Sequence, residues 1–376
     1  MEGQGEEITK SDNERREVSW DDDLPSDLIM EIVSWISPKD APSMWSVSKK
    51  WSEALWSTSI ANPCILFMSP DSRNSTRRLW FHTVLQNQPI QKWNENKIDM
   101  PLIACPLQYM SPQSVRGWIC CHDKKGKSAM LNPTRGVYRM LPKVLELDAC
   151  AETHFHLGYD RERRVFKVLC IISRGTRKGL RILNLRDENM HWSEVHDPSH
   201  AFESPPPSDH SAICLDGKIY LPCDYPFNRV ACFDLQTEKF EIIKGIPDWI
   251  KGYDRLIKVN GSVAFIIRDT RTGTSSIWTL DTATRTWSRR YVIPPLPPHS
   301  PNTTYTCLGT IGGTNKFLLI PSTPLTEPLH MIYYDPETTD TPQKIFIDCQ
   351  TSPPSRHIVA SLDFLETPNF RSKLGN

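Results

Sequence analysis

Val230-Ala231-Cys232-Phe233-Asp234-Leu235-Gln236-Thr237-Glu238-Lys239-Phe240 decides the fold. β-Branched and aromatic residues lead into a polar turn. There the Asp234 carboxylate accepts backbone N–H groups and Thr237 supports them. Phe240 then returns six residues after the turn opens, placed to cover the next strand. An apolar run, a turn of this chemistry and a second apolar run read as a β-hairpin.

The same design recurs along the chain. Ser276-Ile277-Trp278-Thr279-Leu280 leads to Asp281 and on to Trp287, and Ala129-Met130-Leu131 leads to Asn132 and Tyr138. Leu183-Asn184-Leu185 leads to Arg186 and Trp192. Met331-Ile332-Tyr333-Tyr334 leads to Asp335, with Thr341 at the aromatic position, and a degenerate copy runs from Leu79 through Asn87 to Trp93. Turn positions 87, 132, 186, 234, 281 and 335 are 45, 54, 48, 47 and 54 residues apart. That is close to the ~50-residue period of kelch units and a little above that of WD repeats. A Gly precedes an upstream strand at Gly117, Gly217, Gly261 and Gly312-Gly313, and the last carries the double Gly of kelch units. A propeller buries each unit's sheet against its neighbour and leaves short edges. The expected fold is therefore mainly β, a kelch-like β-propeller of about six blades, with five or seven left open by the degenerate first copy.

Ahead of the repeats, Trp20 to Trp56 has a different period. Leu28, Ile32 and Ile36, with Ile29 and Val33, recur at helical spacing and give a broad apolar stripe. Asp23 is placed to cap this helix, and Pro25 falls in its first turn, where a missing N–H costs nothing. Ser37-Pro38 ends it, and 49–56 reads as a further helix. Pro42 falls where the intervening helix would run, so that helix starts at a cap on Asp40 and is short. Segments well below ~40 residues rarely support their own core. The surplus apolar surface implies a partner.

The front stretch resembles an F-box. Leu24-Pro25-Ser26-Asp27-Leu28, Glu31-Ile32-Val33, Ser37-Pro38 and Val47-Ser48-Lys49-Lys50-Trp51 match its LPxDLxxEIL, Pro and VCKxW pattern in register, with Ser48 for the usual Cys. The resemblance implies that Leu24, Pro25, Leu28, Ile29, Ile32, Val33, Pro38, Val47 and Trp51 face a Skp-type adaptor, and through it a cullin–RING ubiquitin ligase. Trp20 is a possible further anchor. The repeat region resembles the F-box-associated domain that follows the F-box in a large plant family. Matching pieces are Leu131-Asn132-Pro133-Thr134-Arg135 with Leu141-Pro142, Leu157-Gly158-Tyr159-Asp160 with Phe166-Lys167-Val168-Leu169, and Cys232-Phe233-Asp234 with Glu238-Lys239-Phe240. Gly309-Thr310 and Tyr333-Tyr334-Asp335 follow in the same order. That resemblance implies a β domain receiving a protein substrate. The expected organisation is a solvated tail over 1–19, the F-box over 20–60, the propeller over 61–366 and a tail over 367–376.

Composition narrows the partners. With 44 basic and 44 acidic residues in 376, no global field favours nucleic acid or an anionic membrane. No run approaches the ~20 apolar residues of a membrane span. The charged N-terminus lacks the apolar core of a signal peptide and reads as a solvated tail. The 11 cysteines lie in apolar runs such as Val168-Leu169-Cys170-Ile171, as small buried hydrophobes do. Contiguous Cys120-Cys121-His122 has the wrong spacing for a tetrahedral zinc site, so a reduced cytoplasmic or nuclear protein is expected.

Chemistry-bearing motifs are sparse. G-x-S-x-G, H-E-x-x-H, Walker and G-x-G-x-x-G patterns are absent from the sequence, so no cofactor and no catalytic residues are expected. His154 and His156 would share a strand face and could in principle bind metal, but no third ligand is evident. Arg161-Glu162-Arg163-Arg164, Arg174–Gly179 and Lys124–Lys127 read as solvated turns, with an anion contact as the alternative. The Pro-rich stretches 204–208 and 294–301 read as stiff inter-blade loops, with a polyproline ligand as the alternative. The function expected is a non-catalytic substrate receptor of an SCF-type ubiquitin ligase. Two alternatives are a propeller binding module or enzyme, for example glycan-binding, with incidental helices, and an F-box scaffold without a cullin.

Overall fold

Asp234 Oδ1 accepts the N–H groups of Gln236 and Thr237, both at 2.9 Å, and the chain reverses as its sequence requires. Asp281 does the same for Ala283 and Thr284, at 2.9 and 3.1 Å. The residue four beyond each turn Asp is left-handed, with φ of 58° at Glu238 and 57° at Arg285, and Gly136 holds the equivalent place after Asn132 at 63°. In the computed structural model, the residues described are 24, 25, 28, 29, 32, 50 and 51 and, with short interruptions, 64–99, 114–195, 212–348 and 359–364. The chain divides into two units, Met1–Ser59 with Phe370–Asn376, and Ile60–Asn369.

The second unit is built of strands paired antiparallel except for β16 with β20 and β23 with β3. In chain order they are β1 (Cys64–Pro70), β2 (Arg78–Leu85), β3 (Gln91–Lys92) and β4 (Asn94–Asp99), then β5 (Ile119–His122), β6 (Ser128–Asn132) and β7 (Val137–Met140). Next come β8 (Glu152–Asp160), β9 (Val165–Arg174), β10 (Arg177–Asn184) and β11 (Trp192–Glu194), followed by β12 (Ile213–Leu215), β13 (Lys218–Cys223), β14 (Arg229–Asp234) and β15 (Lys239–Ile243). The last are β16 (Arg255–Val259), β17 (Ser262–Arg268), β18 (Ser275–Asp281) and β19 (Thr286–Ile293), β20 (Tyr305–Thr310), β21 (Phe317–Pro321), β22 (His330–Tyr334) and β23 (Gln343–Asp348), and β24 (Val359–Phe364).

Among the described residues these strands make five hydrogen-bonded sheets, β24-β1-β2-β4, β5–β7, β8–β11, β12–β15 and a nine-stranded one. The last divides into two four-stranded blades, β16–β19 and β20–β23, with β3 paired in parallel on β23, so that six blade-like sheets follow one another. The fifth and sixth are joined through one parallel bridge, Lys258 to Gly309, between their first strands. The last strand closes on the first, with Cys64 opposite Phe364 and Met68 opposite Val359. Pairing of the last strand with the first joins the two ends of this unit's chain in one sheet, leaving the short edges a propeller keeps. The fold is the β-propeller expected, with six blade-like sheets.

In the second to sixth sheets the sequence repeat falls at one place, the link into the last strand, and Asn87 of the degenerate first copy lies outside the described residues. One detail differs: the acceptor in the third sheet is Asn184, which takes the N–H of Arg186 at 3.1 Å, so the turn opens two residues before position 186. The glycines ahead of upstream strands also have a physical cause. Arg116-Gly117, Asp216-Gly217 and Asn260-Gly261 each have two successive positive φ values, 50° and 74°, 48° and 74°, and 48° and 76°. Two left-handed residues in a two-residue hairpin define a type I′ turn, whose second position favours Gly.

Antiparallel order puts the first-to-second and third-to-fourth links at one end of the propeller. There they bond to one another, as Leu235 N–H does to the Gly217 carbonyl at 3.0 Å. The links at the opposite end include the longer ones, such as 195–212, 244–254 and 294–304.

Apolar clusters fill the spaces between successive sheets. Cys120, Met130, Phe155, Val168 and Leu183 lie between the second and third, and Leu169, Ile182, Leu221, Phe233 and Phe240 between the third and fourth. Tyr220, Val230, Phe265 and Trp287 lie between the fourth and fifth, and Ile257, Ile277, Phe317 and Ile332 between the fifth and sixth. The repeat aromatics serve these interfaces: Phe240 packs on Phe233 at 4.6 Å, Trp287 on Phe265 at 4.8 Å and Trp192 on Phe155 at 5.8 Å between ring centroids. Cys120, Cys121, Cys170, Cys214, Cys223, Cys232 and Cys307 form no disulfide, and all but Cys214 are buried. Burial pushes the thiols of Cys232 and Cys307 up to about 12, as for small hydrophobes.

Candidate functional site

The helical front is described at few positions. Ile29 N–H donates to the Pro25 carbonyl at 3.1 Å, an i to i−4 bond that places Pro25 in the first turn. Pro25 is exposed, Leu28 is 44% exposed, and Leu24 and Ile32 are half-buried. Pro25, Leu28 and Ile32 fall at i, i+3 and i+7, which is one stripe of a helix. Ile29 and Trp51 are buried within the chain, at 0% and 8% exposure, so their apolar surface is already removed from water. Trp20, Val33, Pro38 and Val47 lie outside the described residues, as do the tail over 1–19 and the stretches 204–208 and 297–301.

In the propeller, two stretches that the sequence singled out separately interlock. Lys167 on β9 is fully buried, and its Nζ donates to the Leu235 carbonyl at 2.6 Å and to Glu238 Oε1 at 2.7 Å. The carboxylate of Asp160, 2% exposed, lies 3.9 Å away. A buried ammonium is retained only where charge and acceptors surround it, and here the neighbouring sheet's turn supplies both. Gly158 makes the approach possible: a Cβ there would stand 2.6 Å from Leu235 Cδ1 and 3.0 Å from Ile219 Cδ1. Leu157-Gly158-Tyr159-Asp160, Phe166-Lys167 and the Asp234–Glu238 turn are therefore one inter-sheet joint. The periodicity of the sequence carries no sign of Lys167's role, because a lysine on a strand reads as an outward residue.

Three histidines also converge. β5 brings His122 to within 6.4 Å of His154 on β8, ring centroid to centroid, and His122 lies 5.0 Å from Phe155. His156 is pushed down to about 3 by burial, and then by the neighbouring His154 and His122. Among the described residues no set of His, Cys, Asp or Glu is arranged to hold a metal ion. Of the basic turns, Arg161 is paired with Asp216 at 2.9 Å across two sheets, and Glu162 accepts a hydrogen bond from Gln236. Arg163 and Arg164 are exposed. Among the described residues no helix is long and apolar enough to cross a membrane.

A short helical front followed by a β-propeller is the architecture in hand, and comparison with known families gives it a place. The F-box associated beta propeller domain matches residues 64–356, and the F-box domain matches residues 22–60. The chain belongs to the F-box associated beta propeller domain family and is a plant-type F-box protein. An F-box protein of Arabidopsis thaliana is 26% identical over 347 residues, covering 84% of this chain and 90% of its own. A second from the same plant is 26% identical over 342 residues, covering 84% and 82%. A third is 30% identical over 245 residues, covering 58% and 52%.

Proposed function

We propose that this protein is the substrate-receptor subunit of an SCF-type ubiquitin ligase. The observation that carries the reading is the joining, in one chain, of an F-box over 22–60 to a propeller over 64–356. The F-box meets a Skp-type adaptor, and through it a cullin–RING ligase. Direct contact falls to Leu24, Pro25, Leu28 and Ile32, and the match to the F-box pattern adds Val33, Pro38 and Val47. Ile29 and Trp51, buried in the chain, hold the helices that present this stripe. Association gains about 25 cal/mol per Å² of apolar surface covered, concentrated in a few anchors.

The propeller takes a protein target at the end that carries its longer connections, since recognition residues sit on loops positioned by a rigid scaffold. Bond-making belongs to the ligase partners; this chain contributes proximity between target and ubiquitin donor. Buried cysteines outside disulfides fit a reducing compartment, cytoplasmic or nuclear. Co-expression with the adaptor and cullin tests the assembly. Full-length protein is expected to co-elute with both on size exclusion, and a Leu24→Ala, Pro25→Ala form to elute alone. Wild-type protein eluting without the adaptor would remove the reading.

A further inference from the structure

Trp249 is the most exposed large apolar side chain among the described residues, at 68%. It lies in the connection from β15 to β16, which is firmly held on both sides. Ile246 packs into the cluster between the fourth and fifth sheets, Ile250 and Tyr253 are buried in it, and Tyr253 Oη donates to the Arg229 carbonyl at 2.9 Å. Gly245, at φ 93°, runs close against the fifth sheet, where a Cβ would stand 3.5 Å from the Arg285 carbonyl and 3.8 Å from Trp287 Cδ1. An exposed Trp on so well anchored a segment is presented at little entropic cost.

Its ring meets Trp278 edge to face at 5.5 Å, and Trp278 stacks on Phe265 at 6.1 Å. Trp278 Nε1 is buried without a hydrogen-bond partner among the described residues. Opposite Trp278 on the outermost strand is Arg289, two residues beyond Trp287 and on the same face. Arg289 is exposed, and among the described residues no hydrogen bond or ion pair engages it. The nearby Arg285 differs, being held by Glu241 at 3.1 Å. The outer edge between the fourth and fifth sheets thus joins an apolar wall, a part-covered indole floor and an uncommitted guanidinium.

We propose that Trp249, Trp278 and Arg289 form a docking surface for a target segment carrying an apolar side chain beside a carboxylate. The apolar group lies against the Trp249 ring, and the carboxylate takes the Arg289 fork, whose paired N–H groups match it. Trp and Arg are the residue types that dominate binding energy at interfaces. The proposal rests on the reading of the propeller as a target receptor.

The test uses full-length protein and fluorescent short-peptide pools with a fixed Leu-x-Glu, Leu-x-Gln or Leu-x-Lys core, and a proline-rich pool. Fluorescence polarisation is expected to show binding of the Glu pool. Trp249→Ala and Arg289→Glu should each weaken it roughly tenfold or more, and Arg289→Lys far less. Equal binding of all pools, preference for the proline-rich pool, no binding, or variants that bind like wild type would overturn it. Adaptor capture from the same preparations separates the two readings. Adaptor binding without peptide binding removes the docking surface alone, whereas peptide binding without adaptor binding leaves it standing and removes the receptor role.

Discussion

Lys167 Nζ donates to the Leu235 carbonyl at 2.6 Å across the joint between the third and fourth sheets. Both residues are fully buried, so the bond forms where water cannot substitute for either partner. Lys167→Met keeps an unbranched side chain one atom shorter and removes its charge. It leaves the Leu235 carbonyl and the 2%-exposed Asp160 carboxylate without their cation. The loss is expected to be roughly 3–5 kcal/mol, the usual cost of breaking a buried pair from one side. Urea denaturation checks it. Adding Asp160→Asn should return part of the loss, because the stranded charge goes with the second change.

Gly158→Ala tests how closely the same two sheets approach. Its Cβ would meet Leu235 Cδ1 at 2.6 Å and Ile219 Cδ1 at 3.0 Å, the first inside any ordinary contact, and Leu235 is fully buried. Overpacking of this kind costs typically 1–3 kcal/mol. In a double-mutant cycle, Leu235→Ala should cost less in the Gly158→Ala background than alone. Independent, additive losses would show that the sheets part to relieve the clash.

The turn acids give a pH signature. The Asp281 carboxyl is held below its ordinary value by the backbone N–H groups of Thr284 and Ala283. A lowered folded-state pKa adds stability above the unfolded carboxylate range, and that stability is lost as pH falls through the folded value. Asp281→Ala should therefore be less stable than wild type at neutral pH, with the gap closing in acid. Asp281→Asn keeps an acceptor oxygen and should lose less. Thermal melts across pH measure both.

His156 acts in the same direction for a different reason. Burial holds its pKa near 3, so the folded protein keeps it neutral while the unfolded chain takes up a proton below about 6.5. Stability from this site is complete above that range and drains away as pH falls towards 3. His156→Phe removes the titration, and its melting temperature is expected to fall less steeply between neutral pH and mild acid. Parallel curves for the two proteins would contradict the burial of a neutral imidazole.

What the sequence shows and what it hides divide along physical lines. Turns are local, so Asp234 and Asp281 announce themselves through side chains that bond two and three residues ahead, and Phe240 and Trp287 follow at fixed distance. Asn184 was legible only as part of a run, since Arg186 at the expected position has no acceptor. Pairings between distant strands leave no such trace. Nothing local in Val359–Phe364 says that it lies beside Cys64–Pro70. Ile213–Leu215 is too short to show a period. The Lys167 joint and the exposed Trp249 depend on what a neighbouring sheet or connection covers, which spacing along one strand does not encode. At the front, helical spacing gives an apolar stripe but not which residues of it are covered, and Ile29 and Leu28 differ by one position and by nearly half their surface.

The most direct measurement is the affinity of full-length protein for the Skp-type adaptor, wild type against Leu28→Asp, by isothermal titration calorimetry. Leu28 is exposed, so the variant should fold and melt like wild type. A charge placed in the apolar contact should weaken binding roughly 30-fold or more. Undiminished affinity in the Leu28→Asp protein would contradict adaptor recognition through this stripe.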